Sequence, residues 1–118
     1  MSASELRNAL QGTSELDLTV TGRKSGQEST RPIWFVEETD RLLLLPVTGS
    51  DSNWFRNIVK TPEVRVEADG AELSATATPL EDADGVGQVV EKFRQKYSAD
   101  QVERYYSKQN AAVEVPLS

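Results

Sequence analysis

The sequence predicts an α+β fold in which six short antiparallel strands close into a barrel flanked by helices. Three observations carry that expectation. The chain has 118 residues, 37 % of them hydrophobic, with two Trp, three Tyr and three Phe, which suits one core rather than two. Six short stretches carry strand patterns between turn residues. The helical stretches do not alternate with them in the βαβ order that a doubly wound sheet requires.

Taken in order, Ser2 to Leu10 reads as a short helix, with Ser2 and Glu5 spaced as a capping box and Gly12 at its stop. A helix of this length either docks on the core or frays. Residues 1–12 are therefore read as an N-terminal helix, docked or peripheral, of a single domain spanning 1–118. Leu16, Leu18 and Val20 alternate with Glu15, Asp17, Thr19 and Thr21, the period of a half-buried strand. A second strand is expected from Glu28 to Val36, with Pro32 demanding an edge position or a bulge because it has no N–H for a ladder. Trp34 and Phe35 then point to opposite faces, so only one of them joins the core. After the polar turn Glu37–Asp40, a third strand is expected from Arg41 to Val47. Its run of four leucines at 42–45 suggests burial on both faces.

Ser50 or Asp51 is placed to cap a helix that takes in Trp54, Phe55, Ile58 and Val59 on one side. Thr61-Pro62 ends it, since a residue before Pro avoids the α region. Strands are expected over Glu63–Ala68 and Glu72–Leu80, joined by a tight turn at Asp69-Gly70. Val86, Val89, Val90, Phe93 and Tyr97 recur at helical spacing within Ala83–Tyr97. A short helix over Ala99–Tyr106 and a last strand over Ala111–Pro116 complete the chain.

Composition excludes several kinds of chemistry. With 13 basic and 19 acidic residues the net charge is −6, which argues against general nucleic-acid binding. The chain has no Cys and no His, so no disulfide, no Ser-His-Asp triad, no Cys-His nucleophile and no His-ligated zinc. An enzyme built this way leaves the hard chemistry to a bound cofactor, and no side chain is assigned as catalytic. No apolar run approaches the about 20 residues of a membrane span. No signal peptide opens the chain, so a cytoplasmic protein is the expectation.

The basic turn Thr21-Gly22-Arg23-Lys24-Ser25-Gly26-Gln27 stands out in this acidic chain. Its amides and cations suit an anion. A solvated hairpin tip is equally compatible with the glycines. On that second reading, removing Arg23 and Lys24 would leave the melting temperature unchanged. Trp54 and Asn57 lie three apart on one helix face, where Asn57 can bond a ligand or the neighbouring chain. For Trp34, Trp54 and the tyrosines, core packing and a ligand-facing role both remain open.

The turn, followed by Pro32-Ile33-Trp34-Phe35 and by Trp54-Phe55-Arg56-Asn57 with Pro62-Glu63-Val64, resembles the deazaflavin-dependent nitroreductase and quinone-reductase family. The resemblance runs from about Leu16 to Leu117 and implies a flavin-reductase-like split β-barrel. It also implies coenzyme F420, a deazaflavin with a phospholactyl-polyglutamate tail, and hydride transfer to a quinone, nitroaromatic or other unsaturated acceptor. By position it assigns Arg23, Lys24, Ser25 and Gly26 to the phosphate and acidic tail. Ser29 stands where many members carry an arginine, which shifts part of that role to Arg31. Pro32, Ile33 and Trp34 would lie along the ring, and Pro46, Val47, Thr48 and Gly49 would pass near ring or tail. Trp54 and Asn57 would close the pocket, with Trp54 and Tyr97 facing the acceptor. The alternatives are the same barrel holding FMN, and a non-enzymatic module that binds cofactor or a small lipid. A homodimer is compatible with either; no metal is implied.

Overall fold

A computed structural model describes residues 3–117. Its elements are α1 (Ala3–Leu10), β1 (Glu15–Thr21), β2 (Glu28–Glu37), β3 (Arg41–Leu44), α2 (Asn53–Lys60), β4 (Glu63–Ala68), β5 (Ala71–Thr76), β6 (Thr78–Leu80), α3 (Ala83–Tyr97), α4 (Ala99–Tyr105) and β7 (Ala112–Pro116). The strands are antiparallel in the order β5-β4-β1-β2-β3-β7-β6. The two edge strands, β5 and β6, are consecutive in the chain, so the sheet curls into a nearly closed barrel.

Seven strands replace the six expected, because the stretch Glu72–Leu80 breaks at Ala77. The Ala77 amide makes the last rung on the β4 side, donating to the Pro62 carbonyl at 2.8 Å, and Pro62 has no N–H to return the bond or carry the ladder further. Beyond it the chain pairs with β7 instead of β4. The third strand is also shorter than expected: β7 pairs only with Arg41–Leu44, and Leu45 to Val47 run on as a separate segment. The capping residue proposed for Ser2 lies outside the described residues.

Two apolar clusters divide the interior. Inside the barrel, Leu16, Leu18, Phe35, Leu42, Leu44, Val66 and Val115 pack with Leu6 and Leu10 of α1 and with Trp54, Phe55 and Ile58 of α2. Outside it, Val36, Leu43 and Leu45 pack under Val86, Val89, Val90 and Phe93 of α3 and Val102 of α4. The leucine run is thus buried on both faces, odd residues beneath the helices and even ones in the barrel, as strand alternation requires. Phe35 enters the barrel core, whereas Trp34 is only partly buried and packs against the outer cluster. Val59, expected among the buried residues of α2, is instead 53 % exposed. The Asp69-Gly70 hairpin turn has both residues at positive φ, 50° and 84°, the geometry of a two-residue turn matched to strand twist. Among the described residues, no helix is long and apolar enough to cross a membrane.

Candidate functional site

The site begins where β2 changes partners. Residues Glu28–Trp34 pair with β1, and Phe35–Glu37 pair with β3. The edge of β2 before Phe35 is therefore left without a strand. The Gly22 amide donates to the Gln27 carbonyl at 2.8 Å, which sets the phase of the ladder: odd residues of β2 turn their backbone groups to β1 and even residues turn them outward. Pro32 occupies an outward position, where the N–H it lacks would have faced the open edge. Of the edge position and the bulge that Pro32 allows, the edge is the one observed.

That open edge is one wall of a cavity of about 370 Å³, lined by Glu15, Pro32, Ile33, Trp34, Leu45, Val47, Trp54, Tyr105 and Tyr106. Except for Glu15 the lining is apolar or aromatic. Trp34 forms its flattest surface and is held from behind by Tyr97, whose ring stacks on it at 4.3 Å and 9°. Tyr105 meets Trp34 edge-on at 5.4 Å. Val47 and Tyr105 are the exposed lips, about half accessible each, whereas Trp54 is buried.

The structure places Tyr97 behind the cavity wall, and the two tyrosines of the lining are Tyr105 and Tyr106. The Tyr97 hydroxyl sits where β1 ends. Its oxygen accepts the Phe35 amide at 3.1 Å, and its O–H lies 2.8 Å from the carbonyls of both Ser14 and Phe35. It thereby continues the ladder for one residue at the point where β2 crosses to β3. Lys96 caps the same carbonyl at 2.7 Å and lies 3.6 Å above the Phe35 ring. Burial pushes the Lys96 ammonium below the usual lysine range, with Glu37 pulling the other way. Burial likewise raises the Tyr97 phenol, opposed by its bond to Phe35, and raises that of Tyr106. Both phenols therefore stay protonated near neutrality.

The basic turn stands on α2. Asn57 Oδ1 accepts both the Arg23 amide at 3.0 Å and the Arg23 guanidinium at 2.8 Å. The same guanidinium donates to the Asn53 carbonyl at 3.4 Å, and Lys60 donates to the Arg23 carbonyl at 2.9 Å. Asn57 is buried, so its amide goes to the neighbouring chain. Within the turn, Gly26 donates to Gly22 O at 2.9 Å and Gln27 to Ser25 Oγ at 3.1 Å. Among the described residues, the amides of Lys24 and Ser25 have no protein acceptor. Gly26 has φ 73° with open space around it. Arg41, Arg56, Arg65, Lys92, Arg94 and Lys108 each pair with a carboxylate. Arg23, Lys24, Arg31 and Lys60 do not, which leaves a local positive patch on an acidic chain. Arg31 lies further along β2, exposed, opposite Leu18.

Thr48 and Gly49 are drawn away from the cavity. Gly49–Asp51 forms a single 3-10 turn, and the cap of α2 is Ser52, without a side-chain bond. This corrects the capping role expected for Ser50 or Asp51. Gly49 has φ 59°, and a Cβ there would strike Asn110 Oδ1 and come within 2.8 Å of the Lys108 carbonyl. Asp51 pairs with Lys108 at 2.9 Å and Arg56 at 3.3 Å. Lys108, then Arg56, holds its carboxyl below the usual range. The segment Ser107–Asn110 carries no motif, and its contact with residues 47–51 has no signal in the sequence. Tyr105 and Tyr106 differ from core tyrosines only through this placement.

A family model described as F420H(2)-dependent quinone reductase matches residues 2–117. Among solved structures, an F420-H2 dependent reductase (FDR-A) is similar at 22 % identity and TM-score 0.67, covering 86 % of this chain and 93 % of its own. HutZ, the heme storage protein from Vibrio cholerae, is similar at 17 % identity and TM-score 0.72, covering 98 % of this chain and 90 % of its own. A structure described as a domain-swapped dimer is similar at 21 % identity and TM-score 0.67, covering 95 % and 94 %. At these identities the three structures share the fold.

Proposed function

The chain belongs to the F420H(2)-dependent quinone reductase family, a family of oxidoreductases, and on that premise we propose that its own cavity and basic turn hold reduced F420 against a quinone, nitroaromatic or other unsaturated acceptor. One observation carries the reading. Trp54, in the cavity lining, and Asn57, the brace of Arg23, are three residues apart on α2, about 4.5 Å along the axis. A single short helix thus joins an apolar, flat-walled cavity to unneutralised cations, the two surfaces that a ring with an anionic tail requires.

The fit is chemical as well as spatial. A cavity of about 370 Å³ lies within the about 300–1,000 Å³ usual for small-molecule sites. Pro32, Ile33 and Trp34 supply an apolar wall for a ring, and Lys24 with the free amides of the turn supplies charge and donors for a phosphate. When bound, the reduced deazaflavin would supply the hydride. The chain's part is then to orient, to exclude water and to confine the acceptor between Trp34 and the tyrosine lip. No acid or base from the chain is assigned. Tyr106, whose phenol burial keeps protonated near neutrality, is a donor within the lining.

Titration of the protein with reduced F420, with menadione or a nitroaromatic as acceptor, tests this reading through the coenzyme absorbance. Binding below tens of micromolar and acceptor-dependent oxidation are expected; no binding in that range would overturn it. FMN titrated in parallel separates the reading in which one phosphate meets Arg23 and Lys24. Binding without turnover across an acceptor panel would identify a storage module. The proposal includes a homodimer, for which the domain-swapped neighbour is the precedent, and light scattering distinguishes monomer from dimer.

A further inference from the structure

The far wall of the cavity is made by two segments that are distant in sequence, and they are latched together. Val47, one lip, precedes the 3-10 turn Gly49–Asp51; Tyr105 and Tyr106, the other, precede Ser107–Asn110. The Ser107 amide donates to the Val47 carbonyl at 3.0 Å. Asn110 makes the reciprocal pair: its Oδ1 accepts the Ser50 amide at 2.9 Å and its Nδ2 donates to Ser50 Oγ at 2.9 Å. Lys108 adds an ion pair to Asp51 at 2.9 Å. Gly49 lets the segments close to backbone contact, since a Cβ would strike Asn110 Oδ1. Neither segment is part of the sheet. The opposite wall, Pro32 to Trp34, is fixed by the β1 ladder and by Tyr97, and cannot adjust to a lip that moves.

We propose that Asn110, acting through Ser50, is a positioning residue that sets the width of the cavity mouth and so determines how tightly a flat ring is held. The assignment rests on the ring-binding role of the cavity proposed above. The latch touches the ring side and is separate from the Arg23–Asn57 brace on the tail side. It therefore acts on the ring alone, and the basic turn acts on the tail alone.

The test compares reduced F420 with the deazaflavin riboside that lacks phosphate and tail. Asn110→Ala is expected to weaken both ligands by the same factor, about fivefold to tenfold, the worth of one or two hydrogen bonds. Lys24→Ala is expected to weaken only the tailed ligand. In the ligand-free protein, Asn110→Ala is expected to increase acrylamide quenching of tryptophan fluorescence and amide exchange across residues 47–51. Ser50→Ala is the milder variant should Asn110→Ala fail to fold, and the double variant should cost less than the two singles added, because they share one bond. Unchanged quenching and exchange in a folded latch variant would overturn the proposal, as would weakening of the tailed ligand alone. If wild-type protein binds neither ligand, the cavity reading fails, while quenching and exchange still report whether the latch holds the mouth.

Discussion

Asn57 and Tyr97 each hold a piece of backbone that no strand reaches, and both effects are measurable by substitution. Asn57→Ala strands the Arg23 amide and frees its guanidinium; a loss of about 1–3 kcal/mol is expected in urea unfolding, because a donor is left unsatisfied near a buried site. Arg23→Ala is expected to lower stability by about 1 kcal/mol, whereas Lys24→Ala, with no partner to lose, is expected to leave the melting temperature unchanged. This revises the solvated-tip expectation, under which neither residue would matter to stability. Tyr97→Phe keeps the stacking on Trp34 but removes the hydroxyl from Phe35 and Ser14. A cost of about 1–2 kcal/mol with the near-ultraviolet circular dichroism retained is expected. The types of these residues were legible in the sequence. Their partners were not, because Arg23 and Asn57 lie 34 positions apart and Phe35 and Tyr97 lie 62 apart, beyond the reach of any periodicity.

At the scale of elements, the same residue type behaves differently in different turns. Gly26 and Gly49 both have positive φ, but only Gly49 is crowded. Gly26→Ala is expected to cost about 1–2 kcal/mol from conformation alone. Gly49→Ala should cost more, because the 3-10 turn must also separate from Lys108 and Asn110; urea midpoints of the two variants decide it. The turn has a pH signature as well. The Asp51 carboxyl is held low by Lys108 and Arg56, so its contribution is present above the ordinary aspartate value of about 3.9 and is lost as pH falls through its depressed folded value. Asp51→Asn is therefore expected to destabilise slightly at neutral pH and to become indistinguishable from wild type in strong acid, as followed by urea unfolding against pH. Most elements were readable from pattern, including the α2 stop at Thr61 and the Asp69-Gly70 turn. The break at Ala77 was not, since alternation continues through it and only the switch of partner from β4 to β7 ends the strand.

For the whole molecule, charge and closure set the behaviour. A net charge of −6 repels an anionic ligand at long range, so attraction must come from the patch around Arg23 and Lys24. Affinity for tailed F420 is accordingly expected to fall as salt rises toward about 0.5 M, where screening is short-ranged, while affinity for the tail-less riboside stays constant; titrations at two ionic strengths measure it. The sequence by itself determined the α+β barrel, the double-sided burial of Leu42–Leu45, the restriction of Pro32 to an edge or a bulge, and the opposite facing of Trp34 and Phe35. These follow from local period and backbone chemistry, which each residue carries wherever it goes. Only the tertiary structure decided that Tyr97 backs the cavity while Tyr105 and Tyr106 line it, that Asn57 binds Arg23, and that Asn110 ties down the far lip. Those outcomes depend on which distant segments barrel closure brings within hydrogen-bonding distance, and closure is a property of the paired strands together rather than of any stretch alone.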